Sequence, residues 1–510
     1  MTRRGKEETA RKGQGPRGHI GRRTFLAAGA AGLGAGALAA GAKRSSAEQA
    51  GALYLLRGAQ DLTVQPVLTY EVPKRRPARS WRNWGNVHTQ EAARLEAAEI
   101  EKELKALAAN CGFGLKVKPV LLVSGPAQAE AVKSSGADAV LLYAAGGWTN
   151  LLGAVMGATS APVVVFLRYK SGPYYLWHEI VHARFLRAHT DHLKEERVTV
   201  EDVVVDDLDE LKWRLRALYG LRNVLGRKII CVGGPGGWAA PKAPELARKR
   251  FGLEMITVSI PEINSMIEAG RKDKGLMERC TKAADSYINA PGVTLKTTRK
   301  AVIEAFLLKE LFLRLMEKHG AYAVTVRGCM GSYAGIMPCL TLTLVNDSGY
   351  MAYCEGDFVV IPAGMLLHFI CGKPTYFCNP TFPQNGRMMF AHCTAPRRMS
   401  GEKLEPVELV THYESDHGAA THVLFPKGQL LTIIKPDFEA SRWLALTGTI
   451  TDTPFLATCR AQVEVKLHAP TEEVVRNLRG FHCMLAYGDY TREVTYAAAK
   501  VGISVQVLKT

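Results

Sequence analysis

The residues best suited to chemistry lie in Cys354-Glu355-Gly356-Asp357, which follows the turn signal Asn346-Asp347-Ser348-Gly349 and the short apolar run Tyr350–Tyr353. An acidic residue directly after an apolar run sits where a strand ends and side chains enter a cleft. Glu355 and Asp357 are two residues apart, so in an extended chain both project to one side and can share a hard cation through oxygen ligands. The plainer reading is that one of them caps a helix expected over Phe358–Ile370, since a carboxylate at a helix N-terminus accepts its free N–H groups and meets the positive end of the dipole. Both readings can hold at once. Histidines collect toward the C-terminus: His392 in Ala391-His392-Cys393-Thr394, His412 and Glu414 in Thr411-His412-Tyr413-Glu414-Ser415, then His417, and His482 in Gly480-Phe481-His482-Cys483. A neutral imidazole beside carboxylates suits Mn2+, Fe2+ or Zn2+ better than Mg2+. Their dispersal leaves no short metal motif. Each histidine taken alone reads as structural or surface, and a metal site has to be assembled by the fold.

The elements that would assemble it follow two textures. A polar, Arg/Pro-rich lead through Lys74-Arg75-Arg76-Pro77 precedes a charged helix pattern from near Thr89. The apolar runs Val120–Val123, Ala139–Tyr143 and Pro162–Leu167 then alternate with helix-sized segments, the pattern of a parallel sheet with helices on its faces. This defines a first α/β domain, residues 50–195. A second cycle, residues 196–322, opens with Val203–Val205, the capping pair Asp206-Asp207 and an amphipathic helix Leu208–Tyr219, then strands Lys228–Val232 and Met255–Val258. Its Gly233-Gly234-Pro235-Gly236-Gly237 lacks the Gly-Lys-Ser/Thr of a phosphate loop and the register of a dinucleotide loop, so a tight turn near a cleft is the better reading. A helix over Thr298–Lys318 bridges to the last domain, residues 323–510, an α/β portion followed by an antiparallel β-barrel. There the segments Val407–Thr411, Ala420–Phe425, Gln429–Ile434, Trp443–Thr449 and Ala461–Leu467 are β-prone and separated by Gly, Pro and Asp signals. A closing helix Thr491–Lys500 and strand Ile503–Leu508 complete the chain.

With 510 residues, 47% hydrophobic and 22% charged, the chain has material for more than one core and is neither disordered nor fibrous. Of the net charge of +17, +6 falls within residues 1–42, and the remaining basic residues are scattered with no nucleic-acid recognition motif, so no nucleic-acid partner is expected. Residues 1–42 read as a twin-arginine export signal: a basic start, Arg22-Arg23-Thr24-Phe25-Leu26, an Ala/Gly-rich stretch and the cleavage site Ala40-Gly41-Ala42. The expected location is periplasmic or secreted, with no integral membrane domain once the signal is removed. Such a protein folds before export, so its eleven cysteines are expected to be mostly reduced and buried.

Several of these motifs together carry a resemblance. The run from Pro338-Cys339-Leu340 through Cys354-Glu355-Gly356-Asp357 and Leu366–Pro374 to Asn379-Pro380, with Ala391–Pro396, Gln462-Val463-Glu464, Gly480-Phe481-His482 and Tyr487-Gly488-Asp489, resembles the C-terminal half of the L-fucose/L-arabinose isomerase family. The resemblance implies a metal-dependent aldose–ketose isomerase working through a cis-enediol on a monosaccharide or sugar acid, with Mn2+ first among divalent metals. It also implies a homo-oligomer, a trimer or hexamer. It places Asp357 at the second carboxylate ligand and His482 at the histidine ligand. The family's first carboxylate belongs to the loop after the strand Ala323–Val326, which here reads Arg327-Gly328-Cys329-Met330-Gly331-Ser332-Tyr333 and contains no acid. Glu355, Glu414 or Cys329 are the candidates for a third ligand or base, and Tyr333 for a donor to an oxyanion. Two alternatives stay open: another proton-transfer or lyase reaction on a sugar or sugar acid, and a non-catalytic carbohydrate-binding or assembly protein on the same scaffold.

Overall fold

A computed structural model describes residues 54–78, 84–327 and 333–509. The expected export signal and Cys329 lie outside the described residues. The chain has an α/β architecture with parallel sheets, followed by a closed antiparallel β-barrel.

The first sheet is wholly parallel and centres on Leu62–Thr69, flanked by Leu115–Val117 and Leu121–Val123 on one side and by Ala139–Ala144, Val163–Leu167 and Val203–Val205 on the other. Ala139–Ala144 and Val163–Leu167 are buried at every position, as strands covered on both faces must be. The helix Gln90–Asn110 starts at Thr89, whose hydroxyl accepts from the Ala92 N–H. Val203–Val205, expected to open the second cycle, pairs instead with Val163–Leu167 as the edge of the first sheet. A three-residue apolar run carries no record of which sheet it will join.

The second sheet is also parallel, ordered Met351–Tyr353, Ala323–Val326, Lys228–Val232, Glu254–Val258. All four strands therefore end at one edge, where the turns after Val232 and Tyr353 meet beside Arg327. Ligands of open parallel sheets bind at such an edge. The helix Arg299–His319, capped by Thr298 and stopped by the left-handed Gly320, buries Phe306, Leu307, Leu311 and Leu315 beneath this sheet. Helix Leu208–Val224 lies against helix Ile361–Cys371 so closely that a Cβ on Gly220 would come within 2.4 Å of Ile370.

The barrel runs Leu430–Pro436, Cys483–Tyr487, Tyr376–Pro380, Arg387–His392, Ala461–Leu467, Arg442–Asp452, and closes because Arg442–Asp452 pairs back onto Leu430–Pro436. Ser504–Leu508 adds in parallel to Arg442–Asp452. Val407–Val410 and Ala420–Val423, expected in the same antiparallel array, form a separate three-stranded sheet with Val293–Leu295. Among the described residues no helix is long and apolar enough to cross a membrane.

Candidate metal centre

The acidic turn is built by three strand ends of the second sheet. After Tyr353 the chain reverses through two left-handed residues, Glu355 at φ +63° and Gly356 at φ +60°. A glutamate in this region costs about 1–2 kcal/mol relative to ordinary backbone, so the turn must be held from outside. The glycine loop after Val232 does so: Gly236 donates its N–H to Gly356 O at 2.9 Å and accepts from the Phe358 N–H at 3.1 Å. Gly237 is required there because a Cβ would lie 2.1 Å from Ala240 O. The glycine run is thus a backing turn for the acids.

Asp357 is fully buried, and its Oδ1 accepts the Val359 N–H at 3.0 Å while its carbonyl accepts from Ile361 at 3.0 Å. The helix itself begins at Ile361, three residues later than expected, with Pro362 in its first turn. Asp357 therefore does not cap that helix, whose N-cap is Val360 with no side-chain bond; its Oδ1 instead closes the turn that leads into the helix. Its Oδ2 lies 2.7 Å from His482 Nδ1.

The two imidazoles come from the barrel. His392 ends one strand and His482 precedes another, and both strands flank Tyr376–Pro380, whose Phe377 ring packs against the two imidazoles at 4.4 Å from His482 and 4.9 Å from His392. Each presents Nε2 to Glu355, His392 at 3.4 Å from Oε1 and His482 at 3.3 Å from Oε2. Both histidines are buried, and the Glu355 side chain is 12% exposed. His392 Nδ1 is fixed by Thr394 Oγ1 at 3.1 Å. The Cys354 thiol joins Glu355 and His392, their ligand atoms all lying within 4.8 Å of one another. At the mouth, Trp238 donates its indole N–H to Glu355 Oε2 and stacks on Phe481 at 4.2 Å. Trp238 is 58% exposed and itself left-handed at φ +50°.

Burial opposes the charge on Glu355, but the contacts with His392 and His482 outweigh it and hold the carboxyl well below its usual range. Burial likewise opposes protonation of His482, and Asp357 and then Glu355 overcome it and raise its pKa. With Nδ1–H given to Asp357, His482 Nε2 has two stable conditions: it carries a proton, or its lone pair meets a cation shared with Glu355. Nε2 is buried and lacks hydrogen-bonding geometry toward the carboxylate 3.3 Å away. Cys354, Glu355 and His392 lie close enough together to share one cation, a donor set that fits a divalent transition metal, and His482 Nε2 stands beside them on the other carboxylate oxygen.

Of the sequence candidates, Glu355, Asp357 and His482 converge. Glu414 does not: its side chain is 51% exposed, and its Oε2 lies 3.9 Å from His412 Nε2, in a different cluster. Tyr333 is buried, and its hydroxyl donates to Arg327 O at 3.1 Å. Arg327 borders the acidic turn, since a Cβ on Gly356 would sit 3.7 Å from Arg327 Cβ. The role of His392 and Trp238 had no local signal, because both reach Glu355 only through packing of the barrel on the sheet edge. No protein-family model and no curated protein matches this chain.

Proposed function

We propose that the protein is a divalent-metal enzyme of the aldose–ketose isomerase type, acting on an open-chain monosaccharide or sugar acid. The observation that carries this reading is the pinning of Glu355 between the Nε2 atoms of His392 and His482, with His482 oriented from behind by Asp357. In this reading Glu355, His392 and His482 hold the metal, Mn2+ first, and Asp357 positions His482. The metal, when bound, supplies the positive charge that stabilises a developing enediolate.

The chain's own groups divide the remaining work. Glu355 stays ionised and anchors. Trp238 and Phe481 offer an aromatic wall to the apolar face of a sugar ring or chain. A second reading follows from the strongly depressed pKa of Glu355, which makes it a poor proton acceptor near neutral pH: the same centre binds a sugar or sugar acid and performs another proton transfer, or none. The Arg22-Arg23 signal supports export by the twin-arginine route, and the resemblance supports a closed homo-oligomer.

The test is calorimetric titration with Mn2+ of wild type, Glu355→Gln and His482→Gln, together with deuterium exchange into a panel of aldoses and ketoses in D2O. Binding lost in both variants with exchange at the carbon next to the carbonyl supports the isomerase reading. Binding without exchange supports the second reading, and no binding by wild type refutes both.

A further inference from the structure

Cys393 follows His392 and turns to the opposite side of the strand end. There a second group of metal-type donors collects, separate from Glu355. The thiols of Cys339 and Cys393 and a ring nitrogen of His412 lie within 4.8 Å of one another. Cys393 also makes thiol hydrogen bonds with both Cys339 and Cys459. Cys339, Cys393 and His412 are at most 1% exposed. With Val410 and Ala420, and Cys459 packed against them, the two buried thiols form a small cluster distinct from the main core.

The four side chains come from four elements. Cys339 is the first residue of helix Cys339–Asp347, Cys393 follows strand Arg387–His392, His412 follows strand Val407–Val410, and Cys459 precedes strand Ala461–Leu467. Buried cysteines often serve as small apolar residues. Three thiols gathered round one buried imidazole are a different case, because apolar packing has no use for the ring. A disulfide does not account for them either: it would join two sulfurs and leave the third, and no disulfide forms among the described cysteines.

We propose that Cys339, Cys393, Cys459 and His412 bind one Zn2+ in a closed, four-coordinate site that ties the barrel wall to the helix and to the three-stranded sheet. Thiolate and imidazole donors select Zn2+ over the hard cations, and four protein ligands leave no open position, the mark of a structural rather than catalytic zinc. Tetrahedral Zn–S bonds of about 2.3 Å set the sulfurs about 3.8 Å apart, so Cys339, Cys393 and His412, within 4.8 Å of one another, need to contract by about 1 Å, and Cys459, packed against them, has further to move. That contraction is open to residues at element ends. The surroundings complete the site. Ser415 Oγ, 3.0 Å from His412 Nδ1, fixes the ring. The Arg460 N–H donates to Cys393 Sγ at 3.5 Å, and the Arg460 guanidinium, bonded to Thr411 O at 2.9 Å, brings positive charge beside a site whose net charge with three thiolates is negative.

The experiment uses the full chain purified under reducing conditions. Zinc is measured per chain in wild type, Cys339→Ser, Cys459→Ser and Asp357→Asn, and cobalt is then substituted for it. The expected result is one zinc in wild type and in Asp357→Asn, less than a tenth of that in either cysteine variant, and an intense thiolate-to-cobalt charge-transfer absorption that follows the same pattern. Asp357→Asn weakens only the centre at Glu355, so zinc retained in it belongs to this one. Should the cysteine variants not fold, alkylation of native wild type decides: protection of Cys339, Cys393 and Cys459 that is lost when a chelator is added supports the site. Wild type with neither zinc nor a cobalt charge-transfer band, or a disulfide between any two of these cysteines in the native peptide map, overturns it. So does a cobalt signal that survives Cys459→Ser.

Discussion

On one side of the strand end at His392 lies a centre of carboxylate and imidazole with an aromatic mouth, and on the other, one residue along, two buried thiols and a buried imidazole with the half-buried Cys459 against them. Glu355 is 12% exposed and its partner Trp238 58%, whereas Cys339, Cys393 and His412 are at most 1% exposed. The difference lies in donor chemistry and access together. Oxygen and nitrogen donors with a route to solvent suit a metal that must take and release substrate oxygens; soft donors with none suit a metal that only holds elements together. Because His392 and Cys393 are adjacent, the closed centre also fixes the strand end that presents an imidazole to the open one.

The comparison breaks most visibly if the closed centre is emptied. Chelation, or Cys393→Ser, should lower stability by about 4 kcal/mol, the scale of a cross-link spanning roughly 100 residues, and the melting temperature by about 10 °C. Melting with and without chelator checks this, and an unchanged curve would show that the closed centre carries no stability. Glu355→Gln should do the reverse: abolish cation binding at the open centre while shifting the metal-free melting temperature little, since glutamine keeps the shape at the left-handed position. Asp357→Asn should be milder, weakening Mn2+ binding about 10- to 100-fold, because the amide oxygen can still accept from Val359 while the charge that orients His482 is gone. Calorimetry ranks the two.

A pH series sharpens the contrast. His482 has a pKa above its ordinary 6.5 in the folded protein. In the metal-free protein, its protonated form contributes stability fully present below 6.5 and lost as pH rises through the raised value. Glu355 works in the opposite sense: its depressed pKa contributes stability above about 4.5 that is lost only as pH falls toward its folded value. The stabilisation added by Mn2+ should therefore grow as pH rises from 6 to 9, as the cation takes the place of the proton on Nε2. A flat increment across that range would separate the cation from His482. The smallest effect is expected of Trp238→Phe, which removes the indole N–H from Glu355 but keeps the stacking on Phe481. Mn2+ affinity should fall by a factor of about 2 to 5, the value of one partly exposed hydrogen bond, with stability within about 0.5 kcal/mol of wild type.

Local pattern made much of the fold legible. The helices Arg299–His319 and Thr491–Lys500 and the strand Ala461–Leu467 were readable because period and end signals agree within each segment. Leu62–Thr69, the centre of the first sheet, carries a weak strand signal. Its Gln65 and Pro66 argue against a central strand, and only the packed structure supplies the compensation, with the Gln65 amide donating to Pro119 O at 2.8 Å. Val203–Val205 was readable as a strand but not as a member of the first sheet, because strand pairing is a long-range choice.

The candidate site divides the same way. The sequence by itself determined the chemistry available at the open centre, two carboxylates two residues apart after an apolar run and a histidine near the C-terminus, because residue type and spacing are local properties. Tertiary structure alone decided that His392 joins Glu355 while Cys393 joins Cys339, Cys459 and His412, and that Glu414 joins neither of the open-centre imidazoles. Those partners lie dozens to more than a hundred residues apart in the chain, and only closure of the barrel against the sheet edge brings them within bonding distance.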